Sequence, residues 1–275
     1  MIGRIAPIGF AEDDGIKINL YGRSGTGKTT LWATFPAPIL ALVCSGGENP
    51  GELRSVDTPE NRKRIRQVVI KSTDELREIL KYQELERPYR TLVLDHATGL
   101  QDLVIMEHLG LSERPLALYK KAGQNESWSL VSRQGYGQIA IEMKELFRAM
   151  LNLKGNMVLV AQEREFNNDS EDSMVLPYVG SALTPSVTGW LNPACDYICQ
   201  TYIRRRTTEK IVKVAGKKIK RQAIVKKKVD YCLRTAPDPT FTTKFRLPKG
   251  TELPECIVDP TYDKIMGLIK GGIQE

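Results

Sequence analysis

A glycine-rich motif near the start of the chain limits the possible folds most strongly. The segment YGRSGTGKTT, residues 21–30, has the spacing Gly22-x4-Gly27-Lys28-Thr29. A strand-like run precedes the motif and a helix-like run follows it, which is the context in which this spacing forms a phosphate-binding loop. Glycines let backbone N–H groups turn toward an anion, and the following helix directs its positive end at the same place. The motif therefore predicts binding of a nucleoside triphosphate.

The residue types in the motif predict separate roles. Lys28 is expected to reach the β- and γ-phosphates, and the Thr29 hydroxyl is expected to bind Mg²⁺, a hard cation that prefers oxygen ligands. We therefore expect ATP and Mg²⁺ as ligands. The predicted nucleotide-binding residues are Gly22, Arg23, Ser24, Gly25, Thr26, Gly27, Lys28, Thr29 and Thr30.

A second candidate nucleotide element is RTLVLDHATGL, residues 90–100. An apolar strand that ends in Asp95 would place a carboxylate beside the loop, where it can hold the water shell of Mg²⁺. The alternative is a core strand whose final aspartate caps the next helix. His96 follows Asp95, whereas many P-loop ATPases of the AAA+ class have a catalytic glutamate there, so the general base is expected elsewhere.

Short apolar segments alternate with helical segments over the first 160 residues. Strands are predicted at residues 16–20, 39–43, 68–70, 91–94 and 157–161, and helices at 29–34, 73–82, 99–109 and 138–153. This alternation predicts an α/β fold with a mostly parallel sheet and helices on both faces. After residue 196 the pattern is β-rich until a helix at 262–268. We expect one domain, residues 1–275, with a β extension at 202–231.

The positive charge is concentrated in one segment. The chain has a net charge of +7, but residues 204–228 contain twelve Lys or Arg and only Glu209 as an acid. Alternating apolar and basic residues around Ala215-Gly216 predict a two-stranded ribbon. Such a ribbon favours nucleic-acid phosphates, although lysines also keep exposed edge strands soluble. The predicted nucleic-acid-binding residues are Arg204, Arg205, Arg206, Lys217, Lys218, Lys220, Arg221, Lys226, Lys227 and Lys228.

The composition bears on location and on metal binding. No apolar run is long enough for a membrane span, and the first residues lack the apolar stretch of a signal peptide, so we expect a cytoplasmic protein without a membrane partner. Five cysteines are an odd number, which favours reduced thiols over a disulfide framework. Cys195 and Cys199 are interpreted as buried thiols, the alternative being a metal site.

Three segments in this order, GxxxxGKTT, LVLDHATGL and MVLVAQEREF, resemble the RecA-like core. The chain resembles more closely the phage-encoded RecA-like proteins, which are short single-strand-annealing recombinases, over roughly residues 15–270. The resemblance implies that Gln162 senses the γ-phosphate and leads into a DNA-binding loop, predicted as a long polar loop at residues 163–186. The alternative is an ordinary polar residue at the end of a strand.

The resemblance also implies a catalytic glutamate after the strand that follows the P-loop helix. Ser45 stands where related phage proteins would have this residue, and Glu48 lies three positions later. Either Glu48 is the general base, or hydrolysis is slow and the nucleotide acts as a binding switch. Lys244-x-Arg246, at the end of a predicted β segment, is expected to reach the γ-phosphate of a neighbouring subunit. Two solvated surface charges are the alternative reading.

The resemblance therefore implies an ATPase that binds single-stranded DNA and promotes homologous recombination or strand annealing. It implies a homo-oligomer, either a ring or a filament, and a single-strand-binding protein as a further partner. If the protein is encoded by a phage, its location would be the cytoplasm of the bacterial host. Two alternatives stay open: a DNA helicase or helicase loader, and a nucleotide-switched interaction protein.

Overall fold

The computed structural model describes residues 15–44, 51–111, 131–167, 177–214 and 217–271. The side chains of residues 51–52 and 207–227 lie outside this description. Glu48, the predicted general base, also lies outside the described residues.

An eight-stranded sheet forms the centre of the protein. Its strands are β1 (Lys17–Gly22), β2 (Ile39–Val43), β3 (Ile65–Val69), β4 (Thr91–Asp95), β5 (Asn156–Ala161), β8 (Tyr197–Val214), β9 (Lys217–Arg234) and β10 (Cys256–Val258). Their order across the sheet is β10-β9-β8-β1-β5-β4-β2-β3. Strands β1 to β5 and β8 run parallel to one another, whereas β9 is antiparallel to both β8 and β10. The predicted α/β class with a mostly parallel sheet is confirmed.

Helices cover both faces of the sheet, as predicted. They are α1 (Lys28–Trp32), α2 (Pro59–Arg64), α3 (Thr73–Glu86), α4 (Ala97–His108), α5 (Arg133–Asn152), α6 (Pro185–Ala194) and α7 (Tyr262–Ile269), with a 3-10 helix at Gly51–Val56. Several begin at a hydroxyl cap, for example α3 at Ser72 and α5 at Ser132, whose side chains accept backbone N–H bonds three residues later. Within the described part of the chain, no helix combines the length and apolar content needed to cross a membrane.

The core consists of two apolar layers, one on each face of the sheet. Leu92 and Leu94 of β4 pack in the layer formed with α3, α4, α5 and α6. Val93, between them, packs in the other layer, which contains residues of α1 and α7. Successive residues of a strand point to opposite faces, so a strand that is covered on both sides is apolar at every position.

Residues 163–186 differ from the predicted long loop. They contain the strands β6 (Glu163–Phe166) and β7 (Tyr178–Ser181), which pair antiparallel, and the beginning of α6. The rings of Phe166 and Tyr178 stack with centroids 4.9 Å apart, and Tyr21 of β1 donates a hydrogen bond to the carbonyl of Val179. Each strand has only four residues, and a pair of such short strands is not stable alone, so the pairing depends on these tertiary contacts. For the same reason the sequence pattern alone does not predict the two strands.

The predicted basic ribbon is confirmed at the level of the backbone. β8 and β9 pair from Gln200↔Arg234 to Val214↔Lys217, on either side of residues 215–216. The register shifts between Arg205, which pairs with Val229, and Thr207, which pairs with Ile224. Lys226, Lys227 and Lys228 lie in this irregular part of β9. The first residues of β8 pair with β1, so the ribbon continues the main sheet.

Candidate nucleotide site and nucleic-acid interface

The glycine-rich loop connects the end of β1 to the start of α1 and is held against β8. A Cβ atom on Gly22 would lie 2.3 Å from Thr201 Oγ1 and 2.4 Å from the Thr201 carbonyl oxygen, so only glycine allows this approach. The hydroxyls of Thr26 and Thr201 are hydrogen-bonded at 2.6 Å, and Thr26 also donates to the Arg23 carbonyl at 2.8 Å. The position of the loop is therefore fixed by the strand that continues into the basic ribbon.

Lys28 is buried inside this loop. Its Nζ donates to the carbonyls of Gly22 and Arg23, both at 2.7 Å. Burial lowers the pKa of Lys28, and the charges of Asp95 and Glu163 raise it in part. The loop thus encloses a cation next to its backbone, which is the arrangement that a triphosphate requires.

Asp95 ends β4, and β5 separates β4 from β1. Trp32 Nε1 donates to Asp95 Oδ2 at 3.1 Å. Burial raises the pKa of Asp95, while the Trp32 bond and the Lys28 charge lower it. Thr29 lies three residues before Trp32 on α1, so both side chains are on one side of the helix. A hydroxyl on that side and the buried carboxylate of Asp95 are the kind of oxygen ligands that Mg²⁺ prefers.

The helix α4, which follows Asp95, is capped by His96 and not by Asp95. His96 is the N-cap of α4, and its Nδ1 accepts a hydrogen bond from the Gly99 N–H at 2.7 Å. Asp95 is therefore not the residue that caps the helix, which was the alternative to a metal-binding role. The remaining loop residues Arg23, Ser24 and Gly25 are exposed, as is Thr30, so they are accessible to a ligand.

Gln162 lies between β5 and the β6–β7 hairpin, half-buried. Its backbone N–H donates to Thr98 Oγ1 at 3.4 Å, and its carbonyl accepts from the Ala182 N–H at 2.7 Å. These bonds fix the start of the hairpin next to α4. The position of the residue is consistent with the predicted link between the nucleotide and the following segment, although that link stays a prediction.

Glu163, the first residue of the hairpin, connects three parts of the site and was not predicted. Its Oε1 accepts from Arg23 Nε of the P-loop at 2.6 Å, and its Oε2 accepts from Gln200 Nε2 of β8 at 3.1 Å. Gln200 in turn accepts from Arg234 of β9 at 3.1 Å. The only signal for this residue in the sequence is a carboxylate directly after Gln162, which does not predict the contacts with Arg23 and Gln200.

Asp230 pairs with two of the arginines that were predicted to bind nucleic acid. Arg206 Nε lies 2.5 Å from Asp230 Oδ1, and Arg204 Nε lies 3.5 Å from Oδ2. The hydrogen bond from Arg206, and then the Arg206 and Arg204 charges, hold the pKa of Asp230 below its usual value. Arg205 and Lys228 are exposed. The structure does not describe the side chains of the other predicted residues, which are Lys217, Lys218, Lys220, Arg221, Lys226 and Lys227.

Lys244 and Arg246 lie beside the first residues of β8, at the opposite end of this strand from the ribbon. Lys244 Nζ donates to the carbonyls of Asn192, Pro193 and Cys195 at 2.6–3.1 Å, where α6 ends. Arg246 pairs with Asp196 at 3.0 Å, just before β8 begins. The β segment predicted there is reduced to a single bridge between Ile198 and Lys244. The Asp196 N–H donates to the Lys17 carbonyl, so Arg246 is level with the start of β1, about 16 Å from the P-loop at the end of that strand.

Cys195 and Cys199 are buried free thiols, as predicted. Burial raises the pKa of Cys195 to about 12 and raises that of Cys199 further. Within the described residues, no group of three or more His, Cys, Asp or Glu is arranged to hold a metal ion.

Comparison with known proteins agrees with this geometry. A family model described as an AAA domain matches residues 14–247, which is most of the chain. The chain belongs to this AAA domain family. This AAA domain is a nucleotide-binding P-loop domain with a RecA-like arrangement of sheet and helices. The comparison with curated proteins gave no match.

Two solved structures are among those similar to this AAA domain. The RadB recombinase has 14% sequence identity and a TM-score of 0.37, with 69% of this chain and 75% of that chain covered. The flagellar accessory protein FlaH from Methanocaldococcus jannaschii has 9% identity and a TM-score of 0.40, with 90% and 86% covered.

Proposed function

We propose that this AAA domain is a RecA-like ATPase of the phage single-strand-annealing group. It binds single-stranded DNA and promotes homologous recombination or strand annealing. The contact between Thr26 and Thr201 carries the proposal, because it joins the P-loop to the strand that continues into the basic ribbon. A change at the nucleotide therefore has a short, rigid path to the DNA-binding segment.

The nucleotide part of the proposal rests on Lys28, Thr29 and Asp95. Lys28 would bind the β- and γ-phosphates, and Thr29 and Asp95 would hold Mg²⁺, which neutralises charge that develops on the phosphates. Gln162 is proposed to bond the γ-phosphate or the attacking water, since an amide both donates and accepts. Glu48 is proposed as the general base, because its position in the sequence follows the strand β2.

Two features support single-stranded DNA as the polymer. Residues 204–228 of the ribbon have twelve basic residues and one acid, a net charge of +11 in a chain whose net charge is +7, and neutralising phosphates supplies most of the affinity that is independent of sequence. The stacked rings of Phe166 and Tyr178 lie beside Arg164, whose guanidinium is 5.6 Å from the Phe166 centroid. Aromatic and guanidinium groups together form the surfaces on which unpaired bases stack.

Assembly is proposed from the placement of Arg246. Its exposed side chain pairs with Asp196 level with the start of β1, at the opposite end of this strand from the P-loop of its own chain, so it is proposed to reach the γ-phosphate of a neighbouring subunit. We therefore propose a ring or filament in which Arg246 acts in trans. Lys244, whose ammonium is held by three carbonyls, would support this segment.

The test is ATP hydrolysis with and without single-stranded DNA, together with DNA affinity as a function of salt. We expect hydrolysis to rise with DNA and to be lost in Lys28→Ala, which should remain folded. Changing Lys226, Lys227 and Lys228 to Glu should flatten the slope of log affinity against log salt, which is about 0.7 per phosphate contact for single strands.

The matched control changes three exposed lysines outside the ribbon, Lys71, Lys81 and Lys249, to Glu. This variant has the same net charge and should keep the wild-type slope. DNA affinity that is weak, insensitive to salt and independent of nucleotide would contradict the proposal and favour a nucleotide-switched interaction protein. Duplex unwinding fuelled by ATP would favour a helicase.

A further inference from the structure

An aromatic side chain of the ribbon lies directly on the P-loop. A Cβ atom on Gly27 would be 3.2 Å from Cδ1 of Tyr231, so the Tyr231 ring covers the Cα of this glycine. Gly27 has a φ of 89° and precedes Lys28, the residue proposed to bind the phosphates. Tyr231 belongs to β9, more than 200 positions along the chain, and 42% of its surface is exposed.

Tyr231 is part of a small apolar surface. Ile203 of β8 is paired with Tyr231, and Val229 lies two residues before Tyr231 on the same face. Their exposed fractions are 42% for Ile203 and 44% for Val229. Arg205, paired with Val229, adds an exposed guanidinium to the same face. We call Ile203, Val229 and Tyr231 the platform.

The platform is on the α1 side of the sheet. Alternate residues of a strand share a face, so the platform continues the face formed by Thr201 of β8 and Leu233 of β9. Leu233 packs in the core layer that contains Leu31 and Trp32 of α1, and Thr201 bonds to Thr26 of the P-loop. The platform therefore extends a buried surface outward, past the point where the P-loop begins.

The positions of the charged groups indicate which part of a nucleotide would reach the platform. Asp95 and Tyr231 lie on opposite sides of β1, on β4 and β9, and each is separated from it by one strand. Mg²⁺ and the terminal phosphates would be held beside Asp95. The other end of the nucleotide would then leave the loop toward β8 and β9, where the chain presents the apolar and aromatic atoms of the platform with Arg205 beside them.

We propose that the platform binds the base and ribose of the nucleotide, with the Tyr231 ring stacked on the base. This inference rests on the proposed nucleotide site and extends it. A planar base suits a half-exposed ring flanked by two aliphatic side chains, because stacking removes apolar surface from water without requiring a buried hydrogen-bond partner. It also explains why large apolar side chains are exposed on an otherwise basic ribbon.

The experiment compares two ligands that share their phosphates. Affinities for ATP and for inorganic triphosphate, both with Mg²⁺, are measured by calorimetry for the wild type, Tyr231→Ala and Tyr231→Phe. Tyr231→Ala should weaken ATP binding about tenfold, the order expected for one base on one aromatic ring, and leave triphosphate binding within about twofold. Tyr231→Phe should retain ATP binding, because the ring remains.

Tyr82→Ala is the matched control, since Tyr82 is an equally large exposed side chain on α3, with 55% of its surface exposed. It should bind both ligands like the wild type. Equal weakening of both ligands in Tyr231→Ala, or no weakening of either, would overturn the platform while leaving the P-loop site intact. Loss of single-stranded DNA affinity with unchanged ATP affinity would overturn it in favour of a DNA contact. A wild type that binds neither ligand would overturn the nucleotide site as well.

Discussion

Arg23 of the P-loop donates from Nε to Oε1 of Glu163, the first residue of the β6–β7 hairpin, at 2.6 Å. The Arg23 side chain is 83% exposed and that of Glu163 is 13% exposed, so the pair contributes little to stability. The pair matters because it fixes the position of the P-loop relative to the hairpin. Glu163 also bonds Gln200, which bonds Arg234, so one carboxylate joins the nucleotide loop, the hairpin and both strands of the ribbon.

Glu163→Gln should reduce the dependence of DNA affinity on ATP. The amide keeps the size of the side chain but loses the charge that attracts Arg23, so the loop and the hairpin would no longer move together. Affinity for single-stranded DNA is measured with and without ATP. Glu165→Gln is the control, because Glu165 is an exposed residue of the same strand. An ATP effect equal to that of the wild type would contradict this role for Glu163.

Gln162→Ala should also remove the dependence of DNA affinity on ATP, since it breaks the proposed contact with the γ-phosphate. The slope of affinity against salt should stay unchanged, because the phosphate contacts of the ribbon are intact. A changed slope with a preserved ATP effect would show that Gln162 belongs to the DNA-binding surface instead. The measurement is a salt titration of DNA affinity at saturating ATP and in its absence.

Asp95→Asn should abolish Mg²⁺-dependent hydrolysis and stabilise the fold in a pH-dependent way. Burial raises the pKa of Asp95 above 3.8, so the folded protein holds this proton more tightly than the unfolded chain does. Wild-type stability therefore falls as the pH rises from about 3.8 through the raised pKa. The stability of Asp95→Asn relative to wild type should increase over this window and then level off.

Urea unfolding between pH 4 and pH 7 tests this expectation for Asp95. Asp74→Asn is the control, because it makes the same substitution at a side chain that is 91% exposed. A stability difference between Asp95→Asn and wild type that does not depend on pH would show that burial of the carboxylate has no net cost.

Asp230→Asn should strengthen binding to single-stranded DNA. The change releases Arg204 and Arg206 from their shared carboxylate, and each new phosphate contact should steepen the salt slope by about 0.7. Asp74→Asn changes the net charge equally and is the control. If both variants alter affinity to the same extent, the effect is one of net charge and the two arginines do not contact DNA.

Arg246→Ala should lower ATP turnover and recover part of it when mixed with Lys28→Ala subunits. Each variant then supplies the group that the other lacks at a shared interface. Activity in the mixture that is only additive would exclude action of Arg246 in trans.

Lys244→Ala should act differently from Arg246→Ala. It should lower the free energy of unfolding by about 1–2 kcal/mol, because three carbonyls at the end of α6 lose a charged donor.

Local patterns determined the elements that could be predicted from the sequence. The β2 strand occupies the predicted residues 39–43, because a buried parallel strand is apolar at each position. The P-loop and the ribbon about Ala215-Gly216 were predictable for a similar reason, since glycine at fixed spacing and alternation of residue types act over only a few positions. The α/β class followed from the order of such segments.

Contacts between distant residues were decided only by the tertiary structure. Arg23 and Glu163 are 140 positions apart, and Tyr231 reaches Gly27 only because β8 and β9 follow β1 in the sheet. The pairing of Arg204 and Arg206 with Asp230 depends on the register of two strands, which charge counts do not specify. Sequence periodicity fixes the face on which a side chain lies, whereas its partner depends on strand order and register, which the packing of the whole sheet determines.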